Sequence, residues 1–158
     1  MEKAVKNGGL KTSVILEEYI PLKVFIERGD EPIEYLSYTK GRSSLLEIGV
    51  GMTSGLIKRV TLLLSREYDF ISSELCIDDY KIEDLRLNVD TENNCSYFKT
   101  HLYANGVKIV VSEKTVTKYF KMDSLYIGVS NSGEIVEVSL CPLETDEIRH
   151  ITKELLYQ

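Results

Sequence analysis

One pattern occurs twice in this chain and constrains its fold more than any other feature. Leu46-Glu47-Ile48-Gly49-Val50 is followed after a short turn by Ser54-Gly55-Leu56-Ile57-Lys58-Arg59-Val60-Thr61-Leu62. Later, Leu125-Tyr126-Ile127-Gly128-Val129 is followed by Ser132-Gly133-Glu134-Ile135-Val136-Glu137-Val138-Ser139-Leu140. Both read L-x-I-G-V, a turn, then S-G-x-I-x-x-V-[T/S]-L. An apolar strand precedes each unit, at residues 22–26 and 107–111. Apolar β-branched residues at alternating positions suit strands, and two copies with the same strand interiors argue for a duplicated β-meander. Ile57 and Val60 are three apart, as are Ile135 and Val138, so a β-bulge in each return strand is needed to bring both to one face. Gly49 and Gly128 fall mid-strand, where glycine weakens a sheet unless another group approaches closely. The expected use is a bend around the core, and the alternative is contact with a ligand.

A further hairpin is expected at residues 98–111, around Asn105-Gly106, a pair that accepts the positive φ angles of a type I′ turn. With a two-residue loop, Leu102 faces Ile109 and Thr100 faces Val111, giving one dry face. The other face carries Lys99, His101, Tyr103 and Lys108 and is wet, as in an antiparallel sheet covered on one side. The C-terminus reads as a helix with Thr145 as N-cap, Asp146 and Glu147 in its first turn, and an apolar stripe at Ile148, Ile151 and Leu155. Between residues 66 and 96 the pattern weakens. Segments 68–71 and 85–89 read as short strands, and 90–94 as polar loop. The fold class is therefore α+β and β-rich: antiparallel meander sheets with a duplicated hairpin unit and a C-terminal helix packed on them. At 158 residues the chain has room for one core. We expect a single globular domain at 10–158 behind a flexible segment at 1–9 that contains Gly8-Gly9.

Charge and cysteine usage narrow the function classes. Acidic residues outnumber basic ones 25 to 19, the reverse of what phosphate neutralisation asks of a duplex binder, so no direct nucleic-acid partner is expected. No apolar run spans a bilayer, and Glu17-Glu18 cuts off Val14-Ile15-Leu16 before it could serve as a signal h-region. No membrane partner is expected. Cys76, Cys95 and Cys141 are odd in number and widely spaced, which points to reduced thiols in a cytoplasmic protein.

No catalytic constellation stands out. His101 sits on the wet hairpin face and His150 near the helix surface. Gly49-Val50-Gly51-Met52-Thr53-Ser54-Gly55 lacks the lysine and helix of a phosphate loop, and Asp78-Asp79-Tyr80-Lys81-Ile82-Glu83-Asp84 lacks the alternating ligands and central glycine of a calcium loop. Neither an enzyme activity, a metal nor a cofactor is expected. What does stand out is acidity from residue 67 to 92. Glu67, Asp69, Glu74, Asp78, Asp79, Glu83, Asp84, Asp90 and Glu92 face only Lys81 and Arg86, a local charge of −7. Tyr68, Phe70 and Tyr80 are interleaved, and aromatic anchors beside acids suit a protein interface. Asp78, Asp79, Tyr80, Glu83 and Asp84 are the expected partner-binding residues.

The two hairpins, in particular Leu46-Glu47-Ile48-Gly49-Val50 with residues 53–62, resemble those of small Gram-positive immunity proteins of polymorphic or contact-dependent toxin systems. The resemblance covers about a quarter of the chain. It implies a cytoplasmic antidote without catalysis that binds the toxic domain of a partner, often a nuclease, and it carries over no binding residue. A nuclease surface must attract phosphate and is basic, so an acidic inhibitor can complement it. The expected partner is thus a basic toxin domain. The alternative is a small-ligand-binding or regulatory β domain, with a pocket on the wet face around His101, Tyr103 and Tyr126. The oligomeric state is left open.

Overall fold

A computed structural model describes residues 10–89 and 93–158; the segment 1–9 lies outside the described residues. In chain order the elements are β1 (Lys11–Val14), β2 (Leu22–Glu27), β3 (Ile33–Lys40), β4 (Ser44–Gly51), β5 (Ile57–Ser65), β6 (Tyr68–Phe70), β7 (Asn93–Asn94), β8 (Lys99–Leu102), β9 (Val107–Val110), β10 (Lys118–Met122), β11 (Leu125–Val129), β12 (Ile135–Leu140) and one helix, α1 (Thr145–Leu156). They form two sheets, β1-β2-β5-β4-β3-β7 and β10-β11-β12-β9-β8-β6. Read from the other edge, the second contains β8-β9-β12-β11-β10, the same order as β1-β2-β5-β4-β3. The duplication therefore spans five strands per unit. Each sheet is antiparallel except for one short parallel strand, β7 beside β3 and β6 beside β8.

The register repeats as closely as the topology. Leu46, Ile48 and Gly49 pair with Leu62, Val60 and Arg59, while Leu125, Ile127 and Gly128 pair with Leu140, Val138 and Glu137. After each glycine the ladder slips, leaving Lys58 and Val136 as the extra residues. These are the bulges that the three-residue spacing demanded, and Ile57, Val60, Ile135 and Val138 all end up buried. The mid-strand glycines make room for aromatic rings. Tyr35 on β3 lies directly opposite Gly49, and Tyr119 on β10 opposite Gly128. A Cβ at these positions would come within 3.4 Å and 3.0 Å of the rings. Each hydroxyl then reaches across its glycine to the residue beyond: Arg59 Nη1 donates to Tyr35 Oη at 2.8 Å, and Tyr119 donates to Glu137 Oε1 at 2.5 Å. A tyrosine covering a strand glycine replaces the packing that glycine lacks.

Side chains from both sheets merge into one core. It includes Leu22, Val24, Leu46, Ile48 and Leu62 from the first unit, and Val107, Ile109, Leu125, Ile127 and Val138 from the second. Polar contacts tie each unit's first strand to the other unit. Thr12 of β1 bonds Asp123 and Ser124 in the β10–β11 turn, and Thr100 of β8 meets Ser65 at the end of β5 at 2.7 Å. Ile151 and Leu155 of α1 enter the same core, Ile148 only partly. His150 Nε2 meets the Ile20 carbonyl at 2.9 Å and Gln158 bonds the backbone of Ser65, so the helix sits where β2 begins and β5 ends. Its N-cap is Glu144 rather than Thr145. The Glu144 N–H donates to Glu147 Oε1 at 2.8 Å, which exchanges the hydroxyl cap for the carboxylate half of a capping box.

Three further expectations need correction, the first being the polar loop at 90–94, of which Asn93–Asn94 forms β7 against β3. The β8–β9 pairs are Thr100–Ile109 and Leu102–Val107, two residues away from the expected register, with a four-residue loop at 103–106. A shift of two keeps every side chain on its face, so the dry face survives. Asn105 is occupied otherwise: its Oδ1 accepts the Leu75 N–H at 2.7 Å and its Nδ2 donates to the Leu75 carbonyl. Gly106 is needed for space, since a Cβ there would sit 2.7 Å from the Leu140 carbonyl oxygen. Segment 85–89 is not a strand and makes a single bridge, Arg86 to Leu56. Segment 68–71 does supply β6.

Beside the first bulge, Glu31 closes the β4–β5 turn. Its carboxylate accepts the N–H groups of Thr53 and Ser54 at 2.8 and 2.9 Å and the Ser54 hydroxyl at 2.7 Å, and pairs with Lys58 at 3.2 Å. The Ser54 hydroxyl foremost, then these N–H groups and Lys58, hold its pKa at about 2. A lowered folded-state pKa contributes stability that is complete above the ordinary carboxylate range and is lost as pH falls toward 2. Acid unfolding followed between pH 5 and 2 should therefore be steep in the wild type and shallower in Glu31→Gln. In a second test, Gly106→Ala should cost about 1–3 kcal/mol by overpacking in urea unfolding, whereas Gly29→Ala, with no atom within 4 Å of the new methyl, should be neutral or mildly stabilising.

Candidate functional site

The residues expected to bind a partner lie on the long connection between β6 and β7, which straps the outside of the second unit. Its course is fixed by backbone and side-chain bonds. The Ala104 N–H donates to the Ser73 carbonyl and Asn105 clasps Leu75. Lys81 bridges β10, donating to the Tyr119 carbonyl at 2.9 Å and accepting from the Lys121 N–H at 2.8 Å. The Leu87 N–H donates to Gly55 at 2.8 Å, and Leu85, Leu87 and Val89 pack on the core. The strap is amphipathic: Leu75 is buried, while Asp78, Asp79, Tyr80 and Ile82 are exposed.

The five expected residues do not behave alike. Asp84 pairs with Arg28 Nη2 at 2.8 Å, and the Arg28 side chain is only 9% exposed, so this carboxylate holds the strap to the end of β2. Glu83 is half-buried beside it. Tyr80 packs edge-on against Tyr126, ring centroids 5.6 Å apart, with Lys121 Nζ 5.0 Å from its ring centre. Asp78 accepts the Cys76 thiol hydrogen at 2.9 Å. Asp78 and Asp79 thus form the solvent-facing acidic pair.

The local charge of −7 overstates the field, because sheet pairing brings in cations from distant positions. Glu67 pairs with Lys40 at 2.6 Å. Asp69 meets His101 at 2.6 Å and Lys99 at 3.3 Å; against the burial that would raise it, these partners lower its pKa. Asp90 and Glu92 lie outside the described residues. Under the strap, an open groove of about 400 Å³ is lined by Asp78, Asp79 and Tyr80 on one side and by Lys108, Lys118 and Tyr119 on the other. Sequence reasoning missed this mixed-charge groove, although the alternation in β9 had already placed Lys108 on the outer face.

His101, Tyr103 and Tyr126 do share that outer face, and each is taken up by a different neighbour. His101 is held by Asp69, Lys108 lies 5.8 Å above the Tyr103 ring, and Tyr126 is covered by Tyr80. The three cysteines are unbridged. Burial raises the pKa of Cys95 and Cys141, and the Asp78 hydrogen bond raises that of Cys76. Among the described residues no cluster of three or more metal-ligating side chains occurs, and no helix is long and apolar enough to cross a membrane.

Comparison with known proteins adds no family: no protein-family model matches the chain, and no curated protein matches it significantly. The strap geometry can be checked on its own terms. Because Asp78 stabilises the protonated thiol, Asp78→Asn should lower the Cys76 pKa and speed its alkylation by iodoacetamide at pH 8 severalfold. An unchanged rate would mean that the Cys76–Asp78 contact does not form in solution.

Proposed function

We propose that this chain is an immunity protein, an antitoxin of the cytoplasm that binds a basic toxin domain and blocks its active surface without chemistry of its own. The observation that carries this reading is the strap: an acidic pair, Asp78 and Asp79, beside the exposed side chains of Tyr80 and Ile82, on a backbone fastened to β10, to the Asn105 turn and to Gly55. A contact surface whose backbone is already fixed loses little entropy on binding. Acidic residues at its rim speed encounter with a basic partner, and an aromatic ring supplies an anchor. The resemblance of the two hairpins to immunity proteins points the same way. A nuclease is one activity that such a basic surface fits.

The groove beneath the strap favours a second reading, a site for a small anionic ligand between Lys108, Lys118 and Tyr119. Isothermal titration with phosphate and with short carboxylates distinguishes it, since a docking surface gives no saturable heat with either.

The docking reading is tested by co-expression with the product of the adjacent open reading frame, scored for toxicity and for its neutralisation. Asp78→Lys with Asp79→Lys should abolish protection while leaving the circular dichroism spectrum unchanged, and Tyr80→Ala should weaken binding by about 1–3 kcal/mol. Asp84→Lys serves as the contrast, because it opposes Arg28 and destabilises the fold. Full protection by the Asp78 and Asp79 double variant would reduce the strap to a solvated surface.

A further inference from the structure

Among the described residues, two that are not glycine take a left-handed backbone conformation, Tyr19 at φ 71° and Asp123 at φ 58°. Asp123 has a reason to be there. Its carboxylate accepts both the N–H and the hydroxyl hydrogen of Thr12, each at 2.8 Å, and aspartate enters this region more readily than most residues. Tyr19 has no such reason. It is the third residue of a turn at 17–20, closed by the Ile20 N–H donating to the Glu17 carbonyl at 3.1 Å, a position where a positive φ calls for glycine or asparagine. Its side chain is 80% exposed. The tyrosine thus strains the backbone and recovers nothing by burial.

Its neighbours are as unusual. Ile15 and Leu16 are 42% and 45% exposed, so three large apolar side chains crowd one loop tip with Glu17 and Glu18 between them. Lys23 pairs with Glu17 at 3.2 Å, and Glu18 is exposed. We infer that this loop is an anchor for a protein partner: the Tyr19 ring enters an apolar recess on a basic surface, Ile15 and Leu16 cover the rim, and Glu18 meets a cation there. With Glu17 taken up by Lys23, the exposed Glu18 and the chain's net charge of −6 select a basic partner. An exposed aromatic held on a strained turn is the kind of side chain that carries much of an interface's energy once desolvated. The inference rests on the proposed antitoxin role and adds a contact region separate in sequence from the strap.

Strain and recognition separate cleanly in the test. Tyr19→Gly and Tyr19→Asn relieve the backbone, so their thermal midpoints should equal or exceed that of the wild type. Their affinity for the purified product of the adjacent open reading frame, measured by biolayer interferometry, should fall tenfold or more. A smaller loss in both variants overturns the inference while leaving the antitoxin role standing. A lowered midpoint in both variants overturns it too, since Tyr19 would then be serving the fold. If the wild-type chain fails to bind that product at all, the antitoxin role and this inference fall together.

Discussion

Each five-strand unit has one dry face, and that face has no cover within its own unit. Leu22, Val24, Leu46, Ile48 and Leu62 need a second apolar layer, and Val107, Ile109, Leu125, Ile127 and Val138 provide it. At roughly 1.5–3 kcal/mol per buried aliphatic side chain, this mutual covering outweighs every polar contact described above. The bulges at Lys58 and Val136 keep two residues of each return strand in that layer. The threonine contacts at Thr12 and Thr100 fix how the units meet, and α1 closes one end. A sheet with one apolar face must be buried against another element, and here the other element is its own copy.

The units share a frame and differ in what they display on it. At the position opposite the glycine, the first unit carries Arg59, stacked 4.5 Å from the Phe25 ring, and the second carries Glu137. At the extra residue of the bulge, the first carries Lys58, turned toward Glu31, and the second carries the buried Val136. The outer face of the second sheet is further covered by Tyr80 of the strap, which packs on Tyr126, and by Val116 beside Gly128. Hence β12 is buried along its whole length, as strands covered on both faces are. One unit keeps a polar outer face, while the other has become the foundation for a surface loop.

Much of this was legible in the sequence. The repeated L-x-I-G-V and S-G-x-I-x-x-V motifs give the hairpins, their equivalence and the need for a bulge, because period-two burial leaves Ile57 and Val60 no other way to share a face. The equivalence of β3 with β10 was hidden, since its signal is one tyrosine per strand, recognisable only once the register sets each ring opposite a glycine. The Asn105-Gly106 turn misled because a local pattern says nothing of Leu75, thirty residues earlier, which takes up the asparagine side chain. The candidate site was legible as composition but not as geometry. Counting charges along 67–92 could not reveal that Arg28, Lys40 and Lys99 come from distant parts of the chain to meet them, or that Asp84 belongs to the fold.

The contiguity of the two units also shapes how the chain must emerge from the ribosome. The first unit ends at Ser65 and the second at Leu140, so at about 5–20 residues per second the second is completed roughly 4–15 s after the first. During that interval the first unit's apolar face has no native partner. Shielding it falls to a chaperone or to the ribosome surface, and on a crowded polysome it falls to the equivalent face of a neighbouring nascent chain. The likeness that lets one unit cover the other therefore also leaves the first unit's face open, during synthesis, to any surface of the same kind.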